Sequence, residues 1–326
     1  MRAAVCGLGA VGARAARQLA STEGVDEVIL RDERPERVTE VAASLAEVAT
    51  PEVPSAEPPE ADVVVLAMPG DAHVAMARRL VDRGIPTVST AGGVHEVEAL
   101  LDLGPVAEAR GIPLVVGAAF APGLTCLLAR HACDALDEVA EVHVARLGTG
   151  GPACAQQHHE ALGGGAIDWR DGGWQRRSAG SGRELCWFPD PVGAADCYRA
   201  GLPDALLLVN ALGPVERVTA RLAATRRDRL TARLPMLRRP HPEGTVGAVR
   251  AEVRGRLDGR YETLVYGAYD RPGVAAGAVA AVAAVAAATR TLGIAPGASG
   301  LAASDRAREL LGELSNRGVK AAAFTG

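Results

Sequence analysis

The chain has 326 residues, of which 48% are hydrophobic and 23% are charged, and its formal net charge at pH 7 is −4. This balance is typical of a folded globular protein with room for two domains, and it excludes a disordered chain. The slightly acidic balance provides no global attraction for nucleic acid or for an anionic membrane, so we expect neither as a partner.

The cysteines and the first residues indicate the cellular compartment. The six cysteines show no regular spacing, and the N-terminal sequence MRAAVCGLG reads directly as a strand, with no signal peptide before it. We therefore expect free thiols and a cytoplasmic protein.

A glycine pattern follows the first predicted strand. Residues 3–20, AAVCGLGAVGARAARQLA, read as an apolar strand, the motif Gly7-x-Gly9-x-x-Gly12 and a helix. Gly7 suits a tight turn, Gly9 lets the backbone approach a pyrophosphate, and Gly12 lets the helix lie close to the strand. With Ala10 and Val11, these glycines predict a dinucleotide site at the helix N-terminus, the alternative being a turn without a ligand.

The second predicted strand, DEVILRD, ends in Asp32, which lies 20 residues after Gly12. An acidic residue at this spacing accepts hydrogen bonds from the adenosine ribose and repels the 2′-phosphate of NADP. Arg31, Arg34 and Arg37 surround it, and arginine is the usual partner of that phosphate. The cofactor is therefore predicted to be NAD or NADP, with a slight preference for NAD, and Arg34 is included among its contacts.

Further strand–helix units continue the pattern through ADVVVLAMPG (61–70), IPTVSTAGG (85–93) and GIPLVVGAAFAPG (111–123). Strands that alternate with helices in this way predict an α/β fold with a doubly wound parallel sheet. We expect several residues that follow these strands to meet the ligands. They are Met68, Pro69, His73 and Phe120 at the cofactor, and Thr90 and Gly92 at the substrate.

The middle of the chain has a different pattern. Several segments between residues 138 and 270, such as VERVTARLAA and GAVRAEVRGRL, alternate apolar and polar residues, as strands of a half-covered antiparallel sheet do. We therefore predict an inserted α+β domain over residues 123–272 that binds substrate and supports a homodimer.

An alanine-rich run follows the middle region. Residues 273–289, GVAAGAVAAVAAVAAAT, carry no charge but are shorter than the roughly 20 residues that cross a bilayer. We predict a helix over residues 272–292 that packs back onto the parallel sheet. The Rossmann domain would then consist of residues 1–122 and 273–326.

One segment concentrates polar chemistry: residues 148–177, GTGGPACAQQHHEALGGGAIDWRDGGWQRR. Cys154, His158 and His159 are metal-ligand types, but adjacent helical histidines point about 100° apart and no second motif completes a tetrahedral set, so we expect no metal. We predict a substrate lid in which His159, with Asp168, supplies a proton. His158 is a further candidate catalytic residue, and Arg176 is a candidate substrate contact. A dimer contact anchored by Trp169 and Trp174 is the alternative.

The segments GLGAVG, RDERPERV, VVVLAMPGDAHVAMARRLVDRGIPTVST and ARGIPLVVGAAFAPGLTCLLARHA resemble, in sequence and order, the saccharopine dehydrogenase-like oxidoreductases. The resemblance covers residues 1–130 and 270–326. It implies a Rossmann domain built from both chain ends, an inserted domain, and NAD(P)-dependent chemistry on carbon–nitrogen bonds. The turn at residues 89–93 reads STAGG, whereas the amino-acid-binding members carry an aspartate there.

We therefore expect an NAD(P)-dependent oxidoreductase that exchanges hydride with a C=N/C–N or C=O group of a small, carboxylate-bearing substrate. Two alternatives stay open: a non-enzymatic dinucleotide-binding regulatory or scaffold protein, and a carbonyl or enoyl reductase that acts on a carrier-bound acyl group.

Overall fold

Two sheets organise the chain in the computed structural model, which describes residues 1–69, 72–236 and 240–324. The strands are β1 (Arg2–Cys6), β2 (Glu27–Arg31), β3 (Ala49–Pro51), β4 (Val63–Leu66), β5 (Thr87–Ser89), β6 (Pro113–Val116), β7 (Glu138–Leu147), β8 (Gly165–Arg170), β9 (Gly173–Ser178), β10 (Glu184–Phe188), β11 (Gly193–Arg199), β12 (Arg217–Ala223), β13 (Gly247–Leu257), β14 (Arg260–Asp270), β15 (Gly297–Ser299) and β16 (Lys320–Phe324). The α-helices are α1 (Gly12–Ala20), α2 (Pro35–Ala43), α3 (Ala72–Asp82), α4 (Val94–Leu101), α5 (Gly104–Ala109), α6 (Leu124–Cys133), α7 (Pro152–Gly163), α8 (Asp204–Leu212), α9 (Arg226–Thr231), α10 (Pro272–Ala288) and α11 (Ala307–Asn316).

The first sheet is parallel, with the strand order β15-β6-β5-β4-β1-β2-β3. Its central strands are buried along their length because helices cover both faces; Val63–Leu66, for example, is fully buried. The predicted doubly wound Rossmann sheet is confirmed. Its carboxyl edge carries the loops that follow β1, β2, β4, β5 and β6, where ligands of such folds bind.

The chain returns to this sheet near its end. Helix α10 packs against α1, β4 and β5, and β15 pairs in parallel with β6. Alanine and glycine permit the close approach, since a Cβ on Gly277 would lie 2.5 Å from the Cβ of Arg14. The prediction that this helix packs back onto the parallel sheet is confirmed.

The second sheet has the order β10-β11-β12-β7-β13-β14-β16, and β8 and β9 form a hairpin that joins it through β12. Its pairs are antiparallel except for β7 with β12. Helices α6 and α8 contact its strands. The expected, largely antiparallel sheet is therefore present, but the strands β8, β9 and β11 did not stand out in the sequence.

The last strand corrects one part of the predicted domain layout. Residues 273–326 were all placed in the Rossmann domain, but β16 pairs antiparallel with β14 in the second sheet. After α11 the chain crosses to the free edge of β14, whose backbone groups need partners.

Among the described residues, no helix combines the length and the apolar character needed to span a membrane. All six cysteines are free thiols.

Candidate dinucleotide and substrate site

A cavity of about 710 Å³ lies at the carboxyl edge of the parallel sheet. The loops after β1, β2, β4, β5 and β6 form one wall, and the end of β7, the first turns of α7 and the N-terminus of α10 form the other. Both sheets therefore contribute to the cavity, whose size is typical of a small-molecule site.

The glycine motif has the geometry that a dinucleotide turn requires. Gly7 has a φ of 91°, and a Cβ there would lie 2.6 Å from the backbone of Ala67. A Cβ on Gly12 would lie 1.8 Å from the carbonyl oxygen of Gly7, so glycine is needed for α1 to approach β1. A Cβ on Gly9 would meet no atom within 4 Å, although Gly9 lines the cavity. The missing side chain of Gly9 therefore leaves free space at the N-terminus of α1, where phosphates bind.

Asp32 follows β2 and faces the same cavity. Its Oδ2 accepts a hydrogen bond from the backbone N–H of Leu8 at 2.6 Å, and its Oδ1 accepts one from the N–H of Arg34 at 3.0 Å. Burial tends to raise the pKa of Asp32, but these hydrogen bonds and the Arg34 guanidinium outweigh it and lower the pKa. The carboxylate is thus held in its charged form beside the glycine turn.

The three arginines around Asp32 differ in the hydrogen bonds and ion pairs that they form. Arg31 donates to Glu52, and Arg37 donates to the carbonyl oxygen of Leu8 and pairs with Glu40. Arg34 is largely exposed, and among the described residues its side chain makes a polar contact with Asp32 alone, at 3.3 Å. Arg34 is therefore the most exposed of the three arginines next to the carboxylate.

Most of the predicted ligand contacts come together here. The cavity is lined by Gly7, Gly9, Ala10, Val11, Asp32, Arg34, Met68, Pro69, His73, Thr90, Gly92, Phe120 and His158. Gly12 lies behind the turn, where it supports the packing of α1.

His73 is fully buried at the start of α3. Its Nε2 lies 2.6 Å from the carbonyl oxygen of Met68 and its Nδ1 lies 2.8 Å from Oγ of Ser89. Because a carbonyl can only accept, Nε2 carries the proton. Burial lowers the pKa of His73 to about 4, so the ring is neutral and joins the loop after β4 to β5.

Arg146 was not singled out in the sequence, yet it has the most informative environment in the cavity. It lies near the end of β7, and its Nη1 donates to the carbonyl oxygen of Ala121 at 2.7 Å. Its Nε is buried without a hydrogen-bond partner in the part of the chain that the structure describes. Burial lowers the pKa of Arg146, although the nearby charge of Asp204 favours the charged guanidinium, and burial also raises the pKa of Asp204. Within the described residues the two side chains form no ion pair. A half-buried guanidinium that faces a cavity in this way can bind an anionic ligand.

His158 lies on α7 and lines the same cavity as the glycine turn. Its Nδ1 is buried and has no hydrogen-bond partner among the described residues. Burial, with a further contribution from the charge of Arg146, lowers the pKa of His158 to about 4. Cys154, one turn earlier on the same helix, also lines the cavity, and burial raises the pKa of its thiol. Nδ1 of His158 is therefore a buried polar atom on the cavity wall whose hydrogen bond no described residue satisfies.

The structure corrects the expected positions of His159, Asp168 and Arg176, none of which lines the cavity. His159 points to the other side of α7, where its Nε2 lies 2.7 Å from the carbonyl oxygen of Leu234. Asp168 lies on β8, is almost fully buried and pairs with Arg199 and Arg221. Arg176 is exposed on β9. Segment 148–177 enters the cavity only through its first part, since the β8–β9 hairpin joins the second sheet.

One sequence signal could have identified Arg146. Val142 and Val144 are buried positions of β7, and residue 146 continues the same face of the strand. A charged residue at an expected core position requires polar partners, and Arg146 has one in the carbonyl oxygen of Ala121 and otherwise faces the cavity.

Residues 1–90 match the model of an oxidoreductase family described as having an NAD-binding Rossmann fold (GFO_IDH_MocA). Among solved structures, the chain is similar to the saccharopine dehydrogenase (L-Glu forming) of Saccharomyces cerevisiae, with a TM-score of 0.73 and 14% identity over 99% of this chain and 100% of that chain. It is also similar to the DAP dehydrogenase of C. glutamicum in complex with DAP, with a TM-score of 0.52 and 14% identity over 98% of this chain and 99% of that chain. The expected saccharopine dehydrogenase-like fold is confirmed, and residues 1–90 match an NAD-binding Rossmann domain.

Proposed function

We propose that this chain is a dehydrogenase whose substrate presents a carboxylate to Arg146. It joins an NAD-binding Rossmann domain to a second, largely antiparallel sheet. The observation that carries the proposal is the buried, unpaired Nε of Arg146 in the cavity that Gly9 and Asp32 also line. The substrate would be a small acid whose amine, imine, alcohol or ketone group lies next to the nicotinamide position.

The residues present suit a nicotinamide dinucleotide. The space beside Gly9 and the N-terminus of α1 would hold the pyrophosphate, and Asp32 would accept hydrogen bonds from the ribose. Asp32 is charged and disfavours a 2′-phosphate, so NAD is the preferred cofactor. When bound, the nicotinamide exchanges a hydride with the substrate; the protein supplies orientation and the proton partner.

Arg146 would bind the substrate carboxylate and fix its orientation. The guanidinium is positioned by the carbonyl oxygen of Ala121, and a bidentate arginine–carboxylate pair would satisfy its free Nε. The saccharopine dehydrogenase similar to this chain is L-Glu forming, and L-Glu carries such carboxylates. This agreement supports a carboxylate-bearing substrate.

His158 would exchange the proton that accompanies hydride transfer. Its Nδ1 is free, and with a pKa of about 4 the ring is neutral near pH 7. A neutral imidazole can accept a proton from an amine or alcohol as that group is oxidised, and Arg146 opposes a lasting positive charge on the ring. The role of proton donor or acceptor predicted for the adjacent histidines thus falls to His158 in this proposal.

The test combines a screen with a charge-deletion cycle. Small amino and hydroxy acids are screened with NAD⁺ by nicotinamide absorbance. For any acid that reacts, KM is then measured for the acid and for its amide analogue. Both are measured with the wild type, with Arg146→Met and with the control Arg308→Met, which changes an exposed arginine of α11. Arg146→Met replaces a half-buried charge, which has no ion pair within the described residues, with an apolar side chain, so the variant is expected to fold.

We expect Arg146→Met to raise KM for the acid by about 10- to 100-fold, in line with the loss of a charge-assisted hydrogen bond. The same variant should no longer distinguish the acid from the amide, and Arg308→Met should behave as the wild type. An unchanged preference for the acid in Arg146→Met would contradict the proposal.

A further inference from the structure

A second cavity, of about 380 Å³, lies between the C-terminal end of α7, helix α9 and the turn after β9. It shares no lining residue with the dinucleotide cavity. Arg226, Arg229 and Arg233 line it together with Leu162 and Leu230, and none of the described residues that line it is acidic. We call it the arginine pocket.

Arg229 is held in place before any ligand arrives. Its guanidinium carbon lies 4.1 Å from the centre of the buried Tyr198 ring, and its Nε donates to the carbonyl oxygen of Gly180 at 2.9 Å. A guanidinium stacked on an aromatic ring and fixed through Nε keeps its two Nη groups free for a forked contact.

The three arginines lack counter-charges. None of them forms an ion pair within residues 1–69, 72–236 and 240–324. The one acidic residue of α9, Asp228, accepts hydrogen bonds from the backbone N–H and Oγ1 of Thr225 in a capping box, at 2.8 and 2.7 Å. The acid of this helix therefore serves its own N-terminus, and the pocket keeps a local positive charge.

From this arrangement we infer that the arginine pocket binds the phosphate group of a small phosphorylated compound or inorganic phosphate itself. Three guanidiniums suit a dianion with three acceptor oxygens better than a single carboxylate, which one arginine fork satisfies. The pocket is concave, and the apolar side chains of Leu162 and Leu230 lie beside the arginines, where the organic part of a phosphate monoester would pack.

The pocket lies close to the proposed catalytic helix. Leu162 lines the arginine pocket and His158 lines the dinucleotide cavity, so four residues, or roughly 6 Å along α7, separate them. His159, between them, contacts the carbonyl oxygen of Leu234 in the segment after α9. A phosphate compound in the pocket would thus contact the same structural unit that carries the proton-exchanging residue.

Isothermal titration calorimetry with inorganic phosphate, phenyl phosphate and benzoate tests the inference. The protein is first saturated with NADH, so that phosphates cannot enter the dinucleotide cavity. If NADH does not bind, the titrations are done in the Gly9→Val background, in which the valine side chain occupies that cavity. The variants are Arg229→Ala and Arg226→Ala, and the control is Arg227→Ala, an exposed arginine of the same helix that does not line the pocket. The side chain of Arg226 makes no hydrogen bond within the described residues, so we expect its truncation to leave the fold intact.

We expect one phosphate site per chain, weakened at least about tenfold by Arg226→Ala and by Arg229→Ala and less than about twofold by Arg227→Ala. Tighter binding of phenyl phosphate than of inorganic phosphate would identify a monoester as the ligand, and equal binding would identify free phosphate. Absence of phosphate binding, equal binding of benzoate, or an equal loss in Arg227→Ala would overturn the inference.

Discussion

At the residue scale, the two adjacent histidines have different environments. His158 faces the cavity with a free Nδ1, whereas His159 is turned to the carbonyl oxygen of Leu234. The sequence predicts that only one of them faces the substrate, because neighbouring helical residues point about 100° apart. It does not predict which one, because that depends on which face of α7 packs against α9 and which faces the Rossmann domain.

Replacement of each histidine by glutamine tests this assignment. A general acid or base contributes roughly 10²- to 10⁴-fold to turnover, so His158→Gln should lower kcat on this scale while the affinity for NADH stays nearly unchanged. His159→Gln should retain kcat within a few-fold of the wild type. Steady-state kinetics with an identified substrate measures both; a large loss in His159→Gln alone would refute the role proposed for His158.

A second residue-scale prediction concerns acid stability. The folded pKa of His73 is about 4, below the ordinary value near 6.5, because burial disfavours the charged ring. The unfolded chain therefore binds a proton between pH 6.5 and 4 that the folded chain does not. The contribution of His73 to stability is fully present above pH 6.5 and decreases as the pH falls through this range, by about 3 kcal/mol at pH 4.

Denaturant unfolding of the wild type and of His73→Gln at pH 7 and pH 4 measures this difference. The free energy of unfolding should decrease more in the wild type than in the variant, by about 3 kcal/mol. His95→Gln, whose side chain is fully exposed, is the control and should follow the wild type. Parallel curves for the wild type and His73→Gln would show that His73 is not buried as described.

At the element scale, the small residues of α10 explain why the chain end returns to the first sheet. A Cβ on Gly277 would lie 2.5 Å from the Cβ of Arg14 and 2.8 Å from the backbone nitrogen of Ala15. A Cβ on Gly312, in α11, would meet no atom within 4 Å. The two glycines therefore form a matched pair, one required by packing and one exposed.

Gly277→Val should lower the free energy of unfolding by about 1–3 kcal/mol or more, as overpacking does. Gly312→Ala should raise it by about 0.5–1 kcal/mol, because alanine is the better helix former. Chemical denaturation of both variants measures the changes. A Gly277→Val variant as stable as the wild type would mean that α10 does not pack tightly on α1.

The elements also differ in how readily the sequence reveals them. The strands β1, β2, β4, β5 and β6 and the helices α1 and α10 are predicted correctly, because continuous apolar runs, local glycine spacing and an uncharged helix each carry a strong local signal. The short parallel strands β3 and β15 were not predicted. The β8–β9 hairpin was missed because it is rich in glycine and charge, and its pairing with β12 is a long-range contact. Strand β16 was assigned to the wrong sheet because its short sequence, KAAAF, contains nothing that selects a partner.

At the scale of the whole molecule, the candidate site depends on both sheets. The glycine turn and Asp32 come from the first sheet, and their spacing in the sequence is sufficient to predict them. Arg146 comes from the second sheet, and its side chain meets the cavity only because the loop at Ala121 positions it there. The cofactor half of the site could therefore be read from local sequence, whereas the substrate half required the tertiary arrangement.

The central claim is that the cavity beside Gly9 and Asp32 binds a nicotinamide dinucleotide, and calorimetric titration of NADH and NADPH tests it most directly. A Cβ on Gly9 meets no protein atom within 4 Å, so Gly9→Val should fold normally and project a branched side chain into the cavity. We expect the wild type to bind NADH more tightly than NADPH, Asp32→Ala to reduce or reverse that preference, and Gly9→Val to lose orders of magnitude in affinity for both. A wild type that binds neither dinucleotide, or a Gly9→Val variant with unchanged affinity for both, would contradict the account.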